Sequence, residues 1–331
     1  MKKFLVIGSN SFSGSHFVDL LLKKNARVYG VSRSNQPSKE FLPYKKNPNL
    51  KYFTYNQFDL NRPKDRINIL QKIKKNKIKN IINFASQGMV EESFFKPLDW
   101  YKTNLLSTVD FIEKIKNEEI DSYLHISTPE VYGDISGVIY ENTPKKPSTP
   151  YAISRMAMDC HLEAVMKVNK FPVKFSRAAN VYGEGQQLYR IIPKTILKIL
   201  RNEKIFLHGK GSSRRSFVHI KDISQGYFKI LEKGKIGESY HLSDNNFISI
   251  KELVIKICKK LNVNYKKHVV EKKNDRLGKD FIYKMNSKKI LKELGWKATT
   301  SLDDGIEQTI NWIRVNFIKF KKQNLEYVHK K

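Results

Sequence analysis

Cysteine is scarce in this chain: Cys160 and Cys258 are the two it has in 331 residues, far apart and in no CxxC or zinc-ligand spacing. A disulfide framework and a cysteine metal site are therefore not expected, and the usage fits a reducing cytoplasm. Long apolar runs are missing too, so no membrane span is expected. The start, Met1 to Ile7, pairs two lysines with an apolar tetrapeptide, but Ser9-Asn10-Ser11 ends that run too soon for a signal peptide. Acidic residues are few, 32 against 62 Lys and Arg, for a formal charge of +30. The lysines lie in short runs such as 72–79 and 319–322, mixed with apolar residues at helical spacing. They read as solvated faces, not as a nucleic-acid patch, although a polyanionic small substrate would gain from the field. His16, His125, His208 and His219 form no ligand spacing, so they read as structural and no metal is expected. There is no internal repeat and no flexible linker, and with 40% hydrophobic residues the chain can bury a large core.

What is present organises itself around Lys3 to His16, KFLVIGSNSFSGSH. Phe4 to Ile7 reads as a buried strand that breaks at Gly8 into a turn, before a helix carrying Phe17, Leu20, Leu21 and Leu22. Strand, glycine turn and helix in that order suit a dinucleotide. The helix N-terminus holds the pyrophosphate, and glycine lets the backbone approach it. The pattern is Gly8-x-x-Ser11-Phe12-Ser13-Gly14, with serine in the middle glycine's place. A second strand, Arg27 to Ser32, ends in Ser32-Arg33-Ser34 and not in the acid that binds ribose hydroxyls, which favours NADP with NAD as the alternative.

The rest continues the alternation. A proline-bearing loop over 36–49 leads to a strand from Lys51 to Phe58 that ends at Asp59-Leu60, where the acid is placed to meet the adenine amino group. Next come an amphipathic helix presenting Ile67, Leu70 and Ile73, a strand over Asn80 to Ala85, a loop over 86–95 and a long helix over about 98–116. A strand from Ser122 to Ser127 runs into Thr128-Pro129-Glu130-Val131-Tyr132-Gly133, and a proline-rich loop precedes a helix from Tyr151 that is apolar on more than one face. The expected fold is α/β, a doubly wound parallel (Rossmann) sheet with a smaller C-terminal α/β substrate lobe. Residues 1–175 form the dinucleotide domain, to which strands near 173–180 and 217–244 return, and 176–331 form mainly the nucleotide-sugar lobe. The helices near 98–116 and 151–168 offer a homodimer interface.

Taken in order, Gly8-x-x-Ser11-x-x-Gly14, Asp59-Leu60, Ala85-Ser86-Gln87, Ser127-Thr128-x-Glu130-Val131-Tyr132-Gly133, Tyr151-x-x-x-Arg155, Asn180-Val181-Tyr182-Gly183, Gly209-x-Gly211 to Arg215 and Asp275-Arg276-x-Gly278-x-Asp280 resemble the extended short-chain dehydrogenase/reductases acting on nucleotide sugars, above all the NDP-hexose 4,6-dehydratases. The resemblance implies that Tyr151 takes the proton of the sugar 4-hydroxyl while hydride leaves C4, its pKa lowered by a cation that Arg155 is placed to supply. It implies Glu130 as the base at C5, Thr128 as hydrogen-bond partner of the 4-oxygen, Ala85 and Ser86 beside the cofactor, and Gln87, Asn180, Arg215 and Arg276 on the substrate, the arginines on its diphosphate. The chain departs from the family at two places. Arg155 stands where lysine is usual, and Pro129 where many glucose-type enzymes have an acid. The mannose-type enzymes also lack that acid, and use NADP. A 4-epimerase or a nucleotide-uronate decarboxylase of the same fold, and a non-catalytic sensor of NADP(H) or sugar nucleotides, are the alternative readings.

Overall fold

A computed structural model describes residues 1–135, 137–244, 246–274 and 284–329. Among them, seven parallel strands form the central sheet: β1 (Lys3–Ile7), β2 (Arg27–Ser32), β3 (Phe53–Gln57), β4 (Asn80–Asn83), β5 (Ser122–Ile126), β6 (Val173–Ala178) and β7 (Ser239–Leu242). Their spatial order is β3-β2-β1-β4-β5-β6-β7, the doubly wound order, which reverses between β1 and β4. Register is regular, with Leu5 opposite Tyr29 on one side and Ile81 on the other.

The strands are apolar along their whole length because both sheet faces are covered. On one face Phe4, Val6 and Val28 pack under α1 (Phe12–Lys23). On the other, Leu5, Ile7 and Val31 pack under α2 (Pro63–Asn76), α3 (Ser107–Ile115) and α4 (Pro150–Asn169). The helix α5 (Ile220–Lys233) joins α1 over the first face through Ile223, Tyr227 and Ile230. A second core, with Ile192, Ile257, Ile306 and Phe320, fills the C-terminal lobe beside a three-stranded sheet of Asn180–Tyr182, Arg214–His219 and Phe247–Ser249.

Three local expectations change. The amphipathic face of α2 is Arg66, Ile69 and Ile73, and Ile67 is 47% exposed, because the helix is rotated so that Arg66 reaches the carbonyl of Leu60 and the carboxylate of Asp110. The loop over 86–95 contains a helical segment, Val90–Phe95. The long helix over 98–116 is three pieces: Pro97–Tyr101, a π-helical turn over Lys102–Leu106, and α3.

Candidate active site

The turn after β1 is shaped by close approach. Gly8 has φ +82°, and a Cβ there would lie 2.9 Å from the Ala85 nitrogen; at Gly14 it would lie 2.2 Å from the Gly8 carbonyl oxygen. Ser11 supplies what a middle glycine does not, because its hydroxyl caps α1 by accepting from the Gly14 N–H at 3.0 Å. The cap leaves the N–H groups of Phe12 and Ser13 at the helix start, where intrahelical partners are lacking, for an anion. Ser32 braces the loop by accepting from the Asn10 N–H at 2.9 Å. Arg33 is partly buried just beyond it. Asp59 accepts from the Asn61 N–H at 2.9 Å and so shapes the turn after β3, while Leu60 is buried; Ala85, partly buried, and Ser86, exposed, follow β4. A narrow glycine cradle, a capped helix N-terminus and strand ends fit a dinucleotide pyrophosphate and its riboses.

Across the switch point, β5 delivers Thr128, Pro129 and Glu130. Thr128 caps a short 3₁₀ turn whose first residue is Pro129, where a missing N–H costs nothing, and it accepts from the Glu130 N–H at 3.4 Å. Helix α4 begins next to this turn, capped by Thr149 accepting from the Ala152 N–H at 3.1 Å, so its second residue, Tyr151, faces the end of β5. The Thr128 hydroxyl hydrogen-bonds the Tyr151 phenol.

Burial and then the Glu130 carboxylate push the Tyr151 phenol up; Arg155, the Thr128 bond and Arg190 pull the other way without prevailing. Arg155 acts in the expected downward direction, but the net displacement of the phenol is upward. The reason is orientation: the Arg155 guanidinium is 4% exposed, donates to the Ile126 carbonyl and donates to His125 Nε2 at 3.3 Å. His125 is neutral there, burial and the two arginines 155 and 177 having pushed it down to about 3. Below it Asp159 is held by Arg177 at 2.6 Å and by the Ser127 hydroxyl at 2.8 Å.

Sequence reasoning missed Asn104. Buried in the π-helical turn, it accepts from the Gln87 N–H at 2.8 Å and donates to the Gln87 carbonyl at 3.0 Å and the Ser154 hydroxyl at 3.0 Å. Ser154 in turn donates to the Tyr151 carbonyl at 2.7 Å. One side chain thus ties the loop after β4 to the turn of α4 that carries Tyr151. The signal lay in an asparagine inside an otherwise helical stretch, and π turns recur at functional sites.

Of the residues expected on the substrate, Gln87 is buried at this tie, and Asn180 and Arg215 lie on adjacent strands of the lobe sheet, where Asn180 is opposite Phe217. Arg215 is partly buried and donates to the Arg214 carbonyl at 2.8 Å. Arg276 lies outside the described residues. Gly8, Ser11, Gly14, Thr128, Glu130 and Tyr151 are brought to the carboxyl ends of the strands; Arg155 is turned beneath them.

Comparison with known proteins agrees with this geometry. The human dTDP-D-glucose 4,6-dehydratase is 33% identical over 250 residues, 74% of this chain and 71% of that protein. The dTDP-glucose 4,6-dehydratase of Haemophilus influenzae is 27% identical over 96% of this chain and 99% of its own length. Among solved structures, the dTDP-glucose 4,6-dehydratase DesIV from Streptomyces venezuelae, solved with NAD and TYD bound, superimposes with a TM-score of 0.88 at 26% identity, covering 96% of this chain and 99% of that one. The family model described as GDP-mannose 4,6 dehydratase matches residues 5–309, and the chain belongs to that family of extended short-chain dehydrogenase/reductase nucleotide-sugar 4,6-dehydratases.

Proposed function

We propose that this chain converts a nucleoside-diphosphate hexose into its 4-keto-6-deoxy derivative with loss of one water. The observation that carries the reading is the convergence of Thr128, Glu130 and Tyr151 at the end of β5, with the carboxylate close enough to the phenol to raise it. Bound in the glycine cradle, a nicotinamide dinucleotide supplies the acceptor for the C4 hydride and its donor to C6. Tyr151 takes the 4-hydroxyl proton, and Thr128 orients that oxygen. Glu130 removes the proton at C5, acidified by the new carbonyl, and passes it to the departing 6-hydroxyl; once hydride has returned to C6, the enolate takes a proton at C5 from solvent through Glu130, and Tyr151 gives its proton back to solvent. A 4-epimerase would need Tyr151 without such a carboxylate.

We assign the dinucleotide as NADP, because β2 ends in Ser32-Arg33 without an acid, and guanidinium suits a 2′-phosphate. Arg215, Asn180 and Gln87 are assigned to the nucleotide sugar, with Arg276, and Arg155 to positioning the end of β5. Residues 1–175 serve as the dinucleotide domain, and residues 176–331 mainly as the substrate lobe. A homodimer through the helices near 98–116 and 151–168 would cover Leu98, Leu106 and Ile153, which are 78%, 63% and 40% exposed. The cysteine usage supports a cytoplasmic setting. Incubation with dTDP-, UDP-, GDP- and CDP-hexoses, followed by product masses, tests the activity. Loss of one water supports it, and loss of carbon dioxide or an unchanged mass contradicts it.

A further inference from the structure

Residues 325–329 take no part in the chemistry above, yet they join the two halves of the molecule. Leu325 is buried in the lobe core. Glu326 pairs with Lys194 of the lobe at 2.6 Å, and the Tyr327 ring meets the Tyr189 ring edge-on at 5.4 Å. Two residues on, His329 lies on the other side. Its ring stacks on Trp100 at 5.2 Å and 12°, and its Nε2 is 2.7 Å from Asp99 Oδ2, both on the helix Pro97–Tyr101 that follows β4. The Tyr327 hydroxyl closes the arrangement at 3.3 Å from His329 Nδ1.

The anchors stand on the two parts of the molecule that bound the cleft, the lobe on one side and the helix after β4 on the other. Tyr327 sits within the electrostatic reach of Glu92 and Arg33 on the sheet side and Arg190 on the lobe side, and Arg190 also acts on Tyr151. Arg33 and Tyr151 stand at the two ends assigned above to the dinucleotide, and the helix Pro97–Tyr101 that holds His329 follows β4, the strand at which the sheet order reverses. Trp100 is fully covered and its indole N–H has no hydrogen-bond partner among the described residues, so the stacked imidazole covers the ring without bonding to it.

We propose that residues 325–329 are a strap across the dinucleotide cleft, latched by His329 on Asp99 and Trp100, and that unlatching sets how fast the dinucleotide enters and leaves. The inference rests on the dinucleotide reading of the cleft. Stopped-flow mixing of the full chain with NADPH and with NADH, read by nicotinamide fluorescence, tests it on His329→Ala and Asp99→Asn. Val328→Ser serves as a control at an exposed position of the strap. Both latch variants are expected to bind and release the dinucleotide at least about tenfold faster, a barrier change of one decade. Because the latch governs both directions, Kd should stay within about threefold of wild type, and Val328→Ser should match wild type. Tryptophan emission reports whether Trp100 has been uncovered. Rates within twofold of wild type in a variant whose Trp100 is uncovered would overturn the strap. A wild-type chain that binds neither dinucleotide would overturn the cleft reading and the strap with it, an outcome separable from unchanged rates.

Discussion

At the scale of residues, the central tension is between Tyr151 and Glu130. The phenol must ionise to accept the 4-hydroxyl proton, yet burial and the neighbouring carboxylate hold it up. Oxidation at C4 should therefore accelerate as pH rises through and above neutrality. In Glu130→Gln, with the opposing charge gone, that limb should move to lower pH. The same variant should reduce nicotinamide in a single turnover while exchange of the C5 hydrogen with heavy water stops; continued exchange would remove Glu130 from the role of base. Pro129→Asp should lower activity or leave it unchanged, since a second carboxyl beside Glu130 raises that group, and a large gain in dehydration would mark the proline as damage. Tyr151→Phe should keep dinucleotide binding and lower turnover by about 10²–10⁴-fold, the range for a positioned acid–base group. Arg33→Asp should reverse a preference for NADPH over NADH measured by titration, and equal wild-type affinities would withdraw the assignment.

At the scale of elements, sequence legibility follows how local the cause is. The bounds of β2 at Arg27 and Ser32 were readable because a buried parallel strand is a continuous apolar run between polar stops. The break of the long helix at Lys102–Leu106 was not, because Asn104 finds its partners at Gln87 and Ser154, distant in sequence. Spacing placed Arg155 on the face of Tyr151. It could not reveal that His125 and the Ile126 carbonyl draw the guanidinium under the sheet. Asn104→Ala should strand the buried Gln87 backbone groups, costing about 1–3 kcal/mol by denaturant titration, and should lower turnover more than dinucleotide affinity.

Buried histidines add a second element-scale expectation. His16 on α1 is lowered to about 4, and His125 on β5 and His241 on β7 to about 3, in each case mainly by burial. Below the unfolded value of 6.5 the unfolded chain binds protons that the folded one refuses, so stability falls as pH drops from 6.5 towards these values. Each contributes up to about 1.4 kcal/mol per pH unit in that window. Denaturant midpoints at pH 7.5 and 5.5 should show the loss, and a flat profile would contradict it.

At the scale of the whole molecule, the doubly wound sheet places two independent stretches, the turn after β1 and the end of β5, on the same strand ends, and the lobe faces both. Among the described residues no helix is long and apolar enough to cross a membrane. If the exposed apolar residues 98, 106 and 153 meet their copies in a dimer, Leu98→Lys with Ile153→Lys should yield a monomer by sedimentation, with the sheet intact by circular dichroism. The most direct test of the dehydratase assignment follows one hydrogen. Wild-type chain is given dTDP-glucose, UDP-glucose and GDP-mannose carrying deuterium at C4, and the product is examined by mass and NMR. For at least one of them the expected product is lighter by one water, with the deuterium at C6 and a ketone at C4. Deuterium still at C4, with or without inversion there, would contradict the assignment.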